Sequence, residues 1–125
     1  MKPKQSCLHS FRYAFNGIVY AIKNEAHIRY HLIITCLILA ISWYFNINET
    51  EWMVICMSIF LVLISEFFNT SIEHSVDLTT QNPHPLAMAS KDIAAAGVLL
   101  AAIHAVIQGG IIFIPKLTIM GGLLK

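Results

Sequence analysis

Polar and apolar positions segregate into long blocks along this chain. Three stretches contain no Asp, Glu, Lys or Arg: 19 residues between Arg29 and Glu49, 14 between Glu51 and Glu66, and 23 between Asp92 and Lys116. A helix needs about 20 mostly apolar residues to cross a bilayer. The first and third blocks meet that length. The second is shorter, but no helix breaker follows Glu66, and apolar residues continue through Phe67, Phe68 and Ile72 to Leu78. That pattern predicts one long helix that spans and then emerges. Spanning helices are expected over about 28–46, 51–78 and 91–114. A buried soluble helix is the other reading of the 14-residue block, but the chain offers no further core to bury it in.

The segment before the first span has a different period. Leu8, Phe11, Phe15, Ile18 and Ile22 recur at spacings of three and four, while Arg12, Asn16 and Lys23 fall off that stripe. This is an amphipathic helix pattern, expected over about 5–23. A basic amphipathic helix beside a span lies in the headgroup plane, or it packs its stripe on the other helices, and the two are compatible. No apolar run with a small-residue cleavage site follows Lys2 and Lys4, so a signal peptide is not expected. The stretch Gln81-Asn82-Pro83-His84-Pro85 cannot continue a helix. After Pro115 the chain carries Gly121 and Gly122, and a loose tail is expected there.

Composition sharpens this picture. Of 125 residues, 57% are hydrophobic and 12% are charged. Soluble domains carry about 45–50% apolar and about 25% charged residues, so the chain is expected to be a small all-α integral membrane protein of one domain. A net charge of +1 argues against a nucleic-acid binder. Cys7, Cys36 and Cys56 are too few and too scattered for a disulfide framework or a zinc ribbon. Basic residues orient the spans. Lys2, Lys4, Arg12, Lys23 and Arg29 precede the first, Lys91 lies between the second and third, and only Lys116 and Lys125 follow the last. The positive-inside rule puts the N-terminus and the second connection in the cytoplasm and the C-terminus outside. Trp43, Tyr44 and Trp52 flank the acidic turn and suit an aromatic belt at the outer surface.

The acids carry the candidate chemistry. Glu49 and Glu51 belong to the outer turn. Glu25, Glu66, Glu73, Asp77 and Asp92 all fall near the inner surface in this topology. At about 100° per residue, Glu66, Asn69, Glu73 and Asp77 share an arc of roughly 80°, with Glu66 about 10 Å deeper than Glu73. A solvated helix end accounts for Asp77, but not for Glu66 behind a block of uncharged residues. An ionisable group in a span is a functional candidate. Stacked carboxylates at a membrane surface suit Mg²⁺ bridged to substrate phosphates. Lys91 adds a cation, and the set resembles the parts needed for phosphoryl transfer. No P-loop or glycine-rich phosphate motif is present. His27 and His31 stand four apart, without the third ligand a zinc site needs. His104 in the third span is expected to be packed and hydrogen-bonded. Ala94 to Gly97 and Ala101-Ala102 permit close helix packing.

Three segments together resemble the prokaryotic diacylglycerol kinase family, which includes the undecaprenol kinases. They are Asn24-Glu25-Ala26-His27-Ile28-Arg29, then Glu66-Phe67-Phe68-Asn69-Thr70-Ser71-Ile72-Glu73 through Asp77, and then His84-Pro85-Leu86 with Lys91-Asp92-Ile93-Ala94-Ala95. The resemblance runs from about Phe11 to Pro115. It implies a homotrimer of three-span subunits, each with an N-terminal surface helix, in the prokaryotic cytoplasmic (inner) membrane, with active sites shared between neighbouring chains. It implies Glu66 as the catalytic base and Glu25 and Glu73 as Mg²⁺ ligands. Around the ATP it implies Tyr13, Asn69, Glu73, Asp77, Asn82, Pro83, His84, Lys91 and Asp92. On the lipid side it implies Arg29, Trp52, Glu66 and Ala95. The family often has a basic residue where this chain has Ser6, and Lys4 or Arg12 stands in for it. The implied activity is ATP-dependent phosphorylation of diacylglycerol to phosphatidic acid. Undecaprenol as acceptor is the alternative, toward which the wording of the third segment leans. A non-catalytic membrane subunit, such as a scaffold or proton path, is the rival of another class. A proton path would need polar groups across the membrane, and the outer half of every span lacks carboxylates.

Overall fold

A computed structural model describes residues 7–80 and 82–123, which form four α-helices: α1 (Cys7–Asn24), α2 (Ala26–Tyr44), α3 (Glu49–Thr79) and α4 (Pro85–Leu123). The last three are long and apolar enough to cross a membrane. In hydrocarbon every backbone N–H and C=O must be satisfied within the chain, so apolar blocks of this length take up helix. α3 is a single helix of 31 residues, about 46 Å at 1.5 Å per residue. It is longer than the roughly 30 Å hydrocarbon layer of a bilayer.

Two corners set the arrangement. Between α1 and α2 the chain breaks at one residue, Glu25, whose backbone is extended. The C-terminal carbonyls of α1 are then met by side chains. The guanidinium of Arg29 donates to the carbonyls of Ile22 and Lys23 at 3.2 and 3.0 Å, and the Asn24 amide donates to the Tyr20 carbonyl at 2.8 Å. A cation at a helix C-terminus also offsets the negative end of the helix dipole. Arg29 thereby ties the end of α1 to the first turn of α2.

The turn between α2 and α3 is a double cap. Asn46 takes a left-handed backbone with φ 48°, a conformation that Asn tolerates better than most side chains. Its N–H donates to the Trp43 carbonyl at 3.1 Å, and the Ile47 N–H donates to the Ser42 carbonyl at 3.3 Å. These bonds close the last turn of α2. Ile47 is buried with Ile55 and Ile112, and Trp52 and Phe113 pack against them. Asn48 then opens α3 with a capping box. Its side chain accepts from the Glu51 N–H, and Glu51 accepts from the Asn48 N–H, both at 2.9 Å. The same Glu51 carboxylate meets Lys116 of α4 at 3.0 Å. Asn48→Ala is expected to destabilise the fold by on the order of 1 kcal/mol. Thermal unfolding in detergent, followed by circular dichroism, checks this; an unchanged midpoint would remove the cap from the account of the turn.

α3 packs chiefly on α4 and, to a lesser extent, on α2. Buried Ser42 and Ser58 return their hydroxyls to the carbonyls four residues earlier, at 2.8 and 2.9 Å, so neither leaves a polar atom unsatisfied. Most large apolar side chains remain exposed on the single chain, including Phe11 and Phe15 on α1 and Phe60, Phe68, Leu100 and Val106 on the longer helices.

Two expectations are corrected. The tail after Pro115 is not loose, because α4 continues through Pro115 to Leu123. Proline removes one backbone donor, but an apolar helix has no better-solvated conformation to escape to in a membrane, and the Thr118 hydroxyl donates to the Pro115 carbonyl at 2.8 Å. His104 is not packed but exposed on α4. α4 is apolar all round, so its pattern does not say which face turns to the other helices. At the opposite end of the same helix, the break read in the sequence supplies a start. Pro85 is its first residue, where a missing N–H costs nothing. His84 precedes it, with its Nδ1 accepting from the Leu86 N–H at 3.2 Å.

Candidate active site

The polar stripe of α3 does not face a single neighbour. Glu66 is 6% exposed, and its Oε1 lies 2.7 Å from Nε2 of His31 on α2. Eleven residues further along the same stripe, Asp77 meets Lys91 of α4 at 2.5 Å. The first pair is shielded by the packing of α2 on α3. The second is largely open to solvent, where an ion pair contributes little to stability.

Between them, the Asn69 Nδ2 donates to Glu73 Oε1 at 3.0 Å. The opposite amide orientation would press two oxygens together, so the assignment follows from the contact. It leaves Asn69 Oδ1 buried without a hydrogen-bond partner. A buried unpaired acceptor of this kind costs about 1–3 kcal/mol. An acceptor left bare beside a carboxylate is suited to a cation or a donor from outside the chain. Glu25, at the break between α1 and α2, turns its Oε1 toward Nε2 of His74 at 3.1 Å. The ring of His74 also stands edge-on to Tyr20, with centroids 6.2 Å apart. Glu25 therefore meets α3 beside Glu73, through the next residue. Among the described residues no three His, Cys, Asp or Glu side chains form a metal-holding group. Mg²⁺ does not demand one, because it keeps several waters and takes one or two carboxylates together with substrate phosphates. The bare Asn69 oxygen and the Glu73 carboxylate are hard donors of the kind that ion takes.

The other expected residues separate into groups. Asp77, Asn82, Pro83, His84 and Lys91 line one hollow of about 260 Å³ at the junction of α3 and α4. Thr80 also lines it, its hydroxyl donating to the Asn82 carbonyl at 3.0 Å. Asp92 and Ala95 are exposed on α4. Tyr13 is exposed on α1 with its ring centroid 6.4 Å from that of His9. Arg29 is engaged with the end of α1, as described above. Trp52 lies at the far end of α3 in the cluster around Ile55, about 21 Å along the helix from Glu66 at 1.5 Å per residue. Lys4 and Ser6 lie outside the described residues.

A second, larger cavity of about 420 Å³ runs between α2, α3 and α4 within the spans. Ile34, Ile38, Ile55, Val62 and Val106 line it together with His31, the partner of Glu66. The His31 and His74 contacts were not read from the sequence. His31 appeared there only as a partner of His27, and a side-chain contact between two helices leaves no spacing signal in either.

The chain matches the family described as prokaryotic diacylglycerol kinase over residues 12–113. It is 39% identical to an undecaprenol kinase of Bacillus subtilis over 108 residues, 86% of this chain and 88% of that protein. It is 40% identical to a diacylglycerol kinase of Synechocystis over 111 residues, 88% of this chain and 63% of that protein. To a diacylglycerol kinase of Escherichia coli K12 it is 33% identical over 95 residues, 76% of this chain and 78% of that protein.

Proposed function

This chain belongs to the prokaryotic diacylglycerol kinase family, and from that premise we propose that it transfers the γ-phosphoryl group of ATP to the hydroxyl of a membrane lipid alcohol. The observation that carries this reading is Glu66, a carboxylate buried in a spanning helix and held by an imidazole beside an apolar cavity. A carboxylate buried among apolar helices is costly, so its presence in a spanning helix points to chemistry. The cavity offers hydrocarbon surroundings for a lipid chain whose hydroxyl reaches Glu66. Diacylglycerol, giving phosphatidic acid, is the first acceptor. Undecaprenol is the second, favoured by the near end-to-end match to a relative named for that activity.

In this mechanism the lipid hydroxyl gives its proton to Glu66 as its oxygen attacks the γ-phosphorus and ADP leaves. Lys91, held on exposed Asp77, exchanges that partner for phosphate oxygens. Asn82, Pro83 and His84 border the base or ribose, and Tyr13 and Asp92 flank the nucleotide. Arg29, Trp52 and Ala95 belong to the lipid side, with Arg29 holding the α1–α2 corner. Glu73 and Glu25 are the residues that would hold Mg²⁺, which when bound neutralises phosphate charge. Support for that assignment comes from the unpaired Asn69 oxygen.

The chain acts as one domain and as a homotrimer, with α1 lying in the headgroup plane of the prokaryotic cytoplasmic membrane. The N-terminus and the α3–α4 connection are cytoplasmic. The asymmetry of basic residues supports that orientation. Exposed apolar faces and the small residues of α4 support association between copies.

The test is a direct assay of purified protein in micelles with Mg·ATP and either diacylglycerol or undecaprenol. A phosphorylated lipid is expected, and the preferred acceptor decides between the two readings. Phosphorylation of neither would return the chain to the class of non-catalytic membrane subunits.

A further inference from the structure

We propose that His31 is a positioning residue for Glu66, an inference that rests on the reading of Glu66 as the base. The Nε2 of His31 lies 2.7 Å from Glu66 Oε1, a length typical of a hydrogen bond to an ionised group. A carboxylate has no proton to donate, so the contact places a proton on His31 Nε2. The side chains are 24% and 8% exposed, so water does not compete freely for the bond. Among the described residues, His31 is the polar partner of this carboxylate.

The consequence is directional. A Glu side chain turns about three bonds, and an unheld carboxylate would present either oxygen at many angles. With Oε1 occupied by His31, Oε2 is the oxygen left for the acceptor hydroxyl. His31 also lines the apolar cavity, so the held carboxylate stands where a lipid leaving that cavity presents its hydroxyl. In the transfer step the hydroxyl O–H breaks, its proton passes to Oε2, the oxygen bonds the γ-phosphorus, and the bridging P–O electron pair leaves with ADP. His31 neither gains nor loses a proton. It acts by geometry, and its loss is felt in turnover rather than in ATP affinity.

Substitutions separate this from a packing role. His31→Leu, which fills the space without a donor, is expected to lower kcat about 10- to 150-fold, the range for losing one hydrogen bond to a charged group. KM for ATP should stay unchanged. His31→Gln restores an N–H at similar reach and should recover most of the lost kcat. Undiminished kcat in His31→Leu, or equal loss in both variants, overturns the proposal. A second measurement needs no turnover. In protein labelled with ¹⁵N-histidine, His31 should show a fixed Nε2–H tautomer that becomes a mixture in Glu66→Leu. An unchanged tautomer there also overturns it. The two ideas fail differently. Near-normal turnover of Glu66→Gln removes the base, and the tautomer measurement then judges the pairing alone. A dead Glu66→Gln beside an unimpaired His31→Leu leaves the base standing and removes the positioning role.

Discussion

Glu66→Gln is expected to reduce turnover by about 10²- to 10⁴-fold, the usual contribution of a general base, while Mg·ATP still binds. Gln keeps the length and planarity of the side chain. Its Oε1 can still accept from His31 Nε2, so the contact that spans 2.7 Å in the present chain need not break. The fold should therefore survive, with a melting midpoint in detergent close to that of the unaltered chain. What disappears is the capacity to take a proton. Glu66 also lies about 16 Å along α3 from Asp77 at 1.5 Å per residue, and Asp77 is where the Asn82–His84 hollow begins. Nucleotide binding, measured by displacement of a fluorescent ATP analogue, should change by less than threefold. Substantial turnover in the variant would end the assignment of Glu66 as base. Loss of nucleotide binding together with turnover would place Glu66 in the nucleotide site instead.

Glu73→Gln should act on the metal. Its expected effect is a rise of about 10²-fold in the Mg²⁺ concentration giving half-maximal activity, with a smaller fall in the rate at saturating Mg²⁺. A unit charge about 4 Å from a cation contributes roughly 1 kcal/mol in water and about 4 kcal/mol near a protein surface. Glu73 is half-buried, so its contribution lies between those limits, and each 1.4 kcal/mol is tenfold. The substituted amide keeps an oxygen to accept from Asn69 Nδ2, so the bond now at 3.0 Å is available to the variant. The change removes charge and leaves the bare Asn69 Oδ1 in place. Initial rates across a Mg²⁺ titration at fixed ATP decide the matter. An unchanged half-saturation would count against Glu73 as a ligand and leave the Asn69 oxygen to a protein donor from a neighbouring copy.

Much of this site is legible in the chain. The blocks free of charge mark α2, α3 and α4, because a bilayer leaves an apolar backbone no other way to satisfy itself. The absence of a breaker after Glu66 announces α3 as one helix, and the spacing from Glu66 to Asp77 puts four polar residues on one stripe. Asn82-Pro83-His84, read as a break, proves also to be one wall of the hollow that Lys91 and Asp77 close. The double cap of the α2–α3 turn was in principle readable too. Asn48 and Glu51 stand at capping-box spacing, and Asn46 is a residue type that accepts a left-handed backbone.

Other features were out of reach. The length of α4 beyond Pro115 depends on whether a lost hydrogen bond outweighs continued helix in hydrocarbon, and a loop-forming residue looks the same in either case. The exposure of His104 depends on how α4 is rotated, and a helix apolar on every side carries no periodic signal of its rotation. Arg29 reads as one more inner-surface cation, yet it crosses a corner to cap α1.

The sequence by itself determined the number of spanning helices, their breaks, and the stripe of α3 on which the acids stand. These follow from forces that act within one helix: the need to satisfy backbone groups in lipid, the penalty of proline, and a fixed turn per residue. Tertiary structure alone decided the partners: His31 for Glu66, His74 for Glu25 and Lys91 for Asp77. Those depend on how apolar helices rotate and cross, which is settled by packing between side chains distant in the chain.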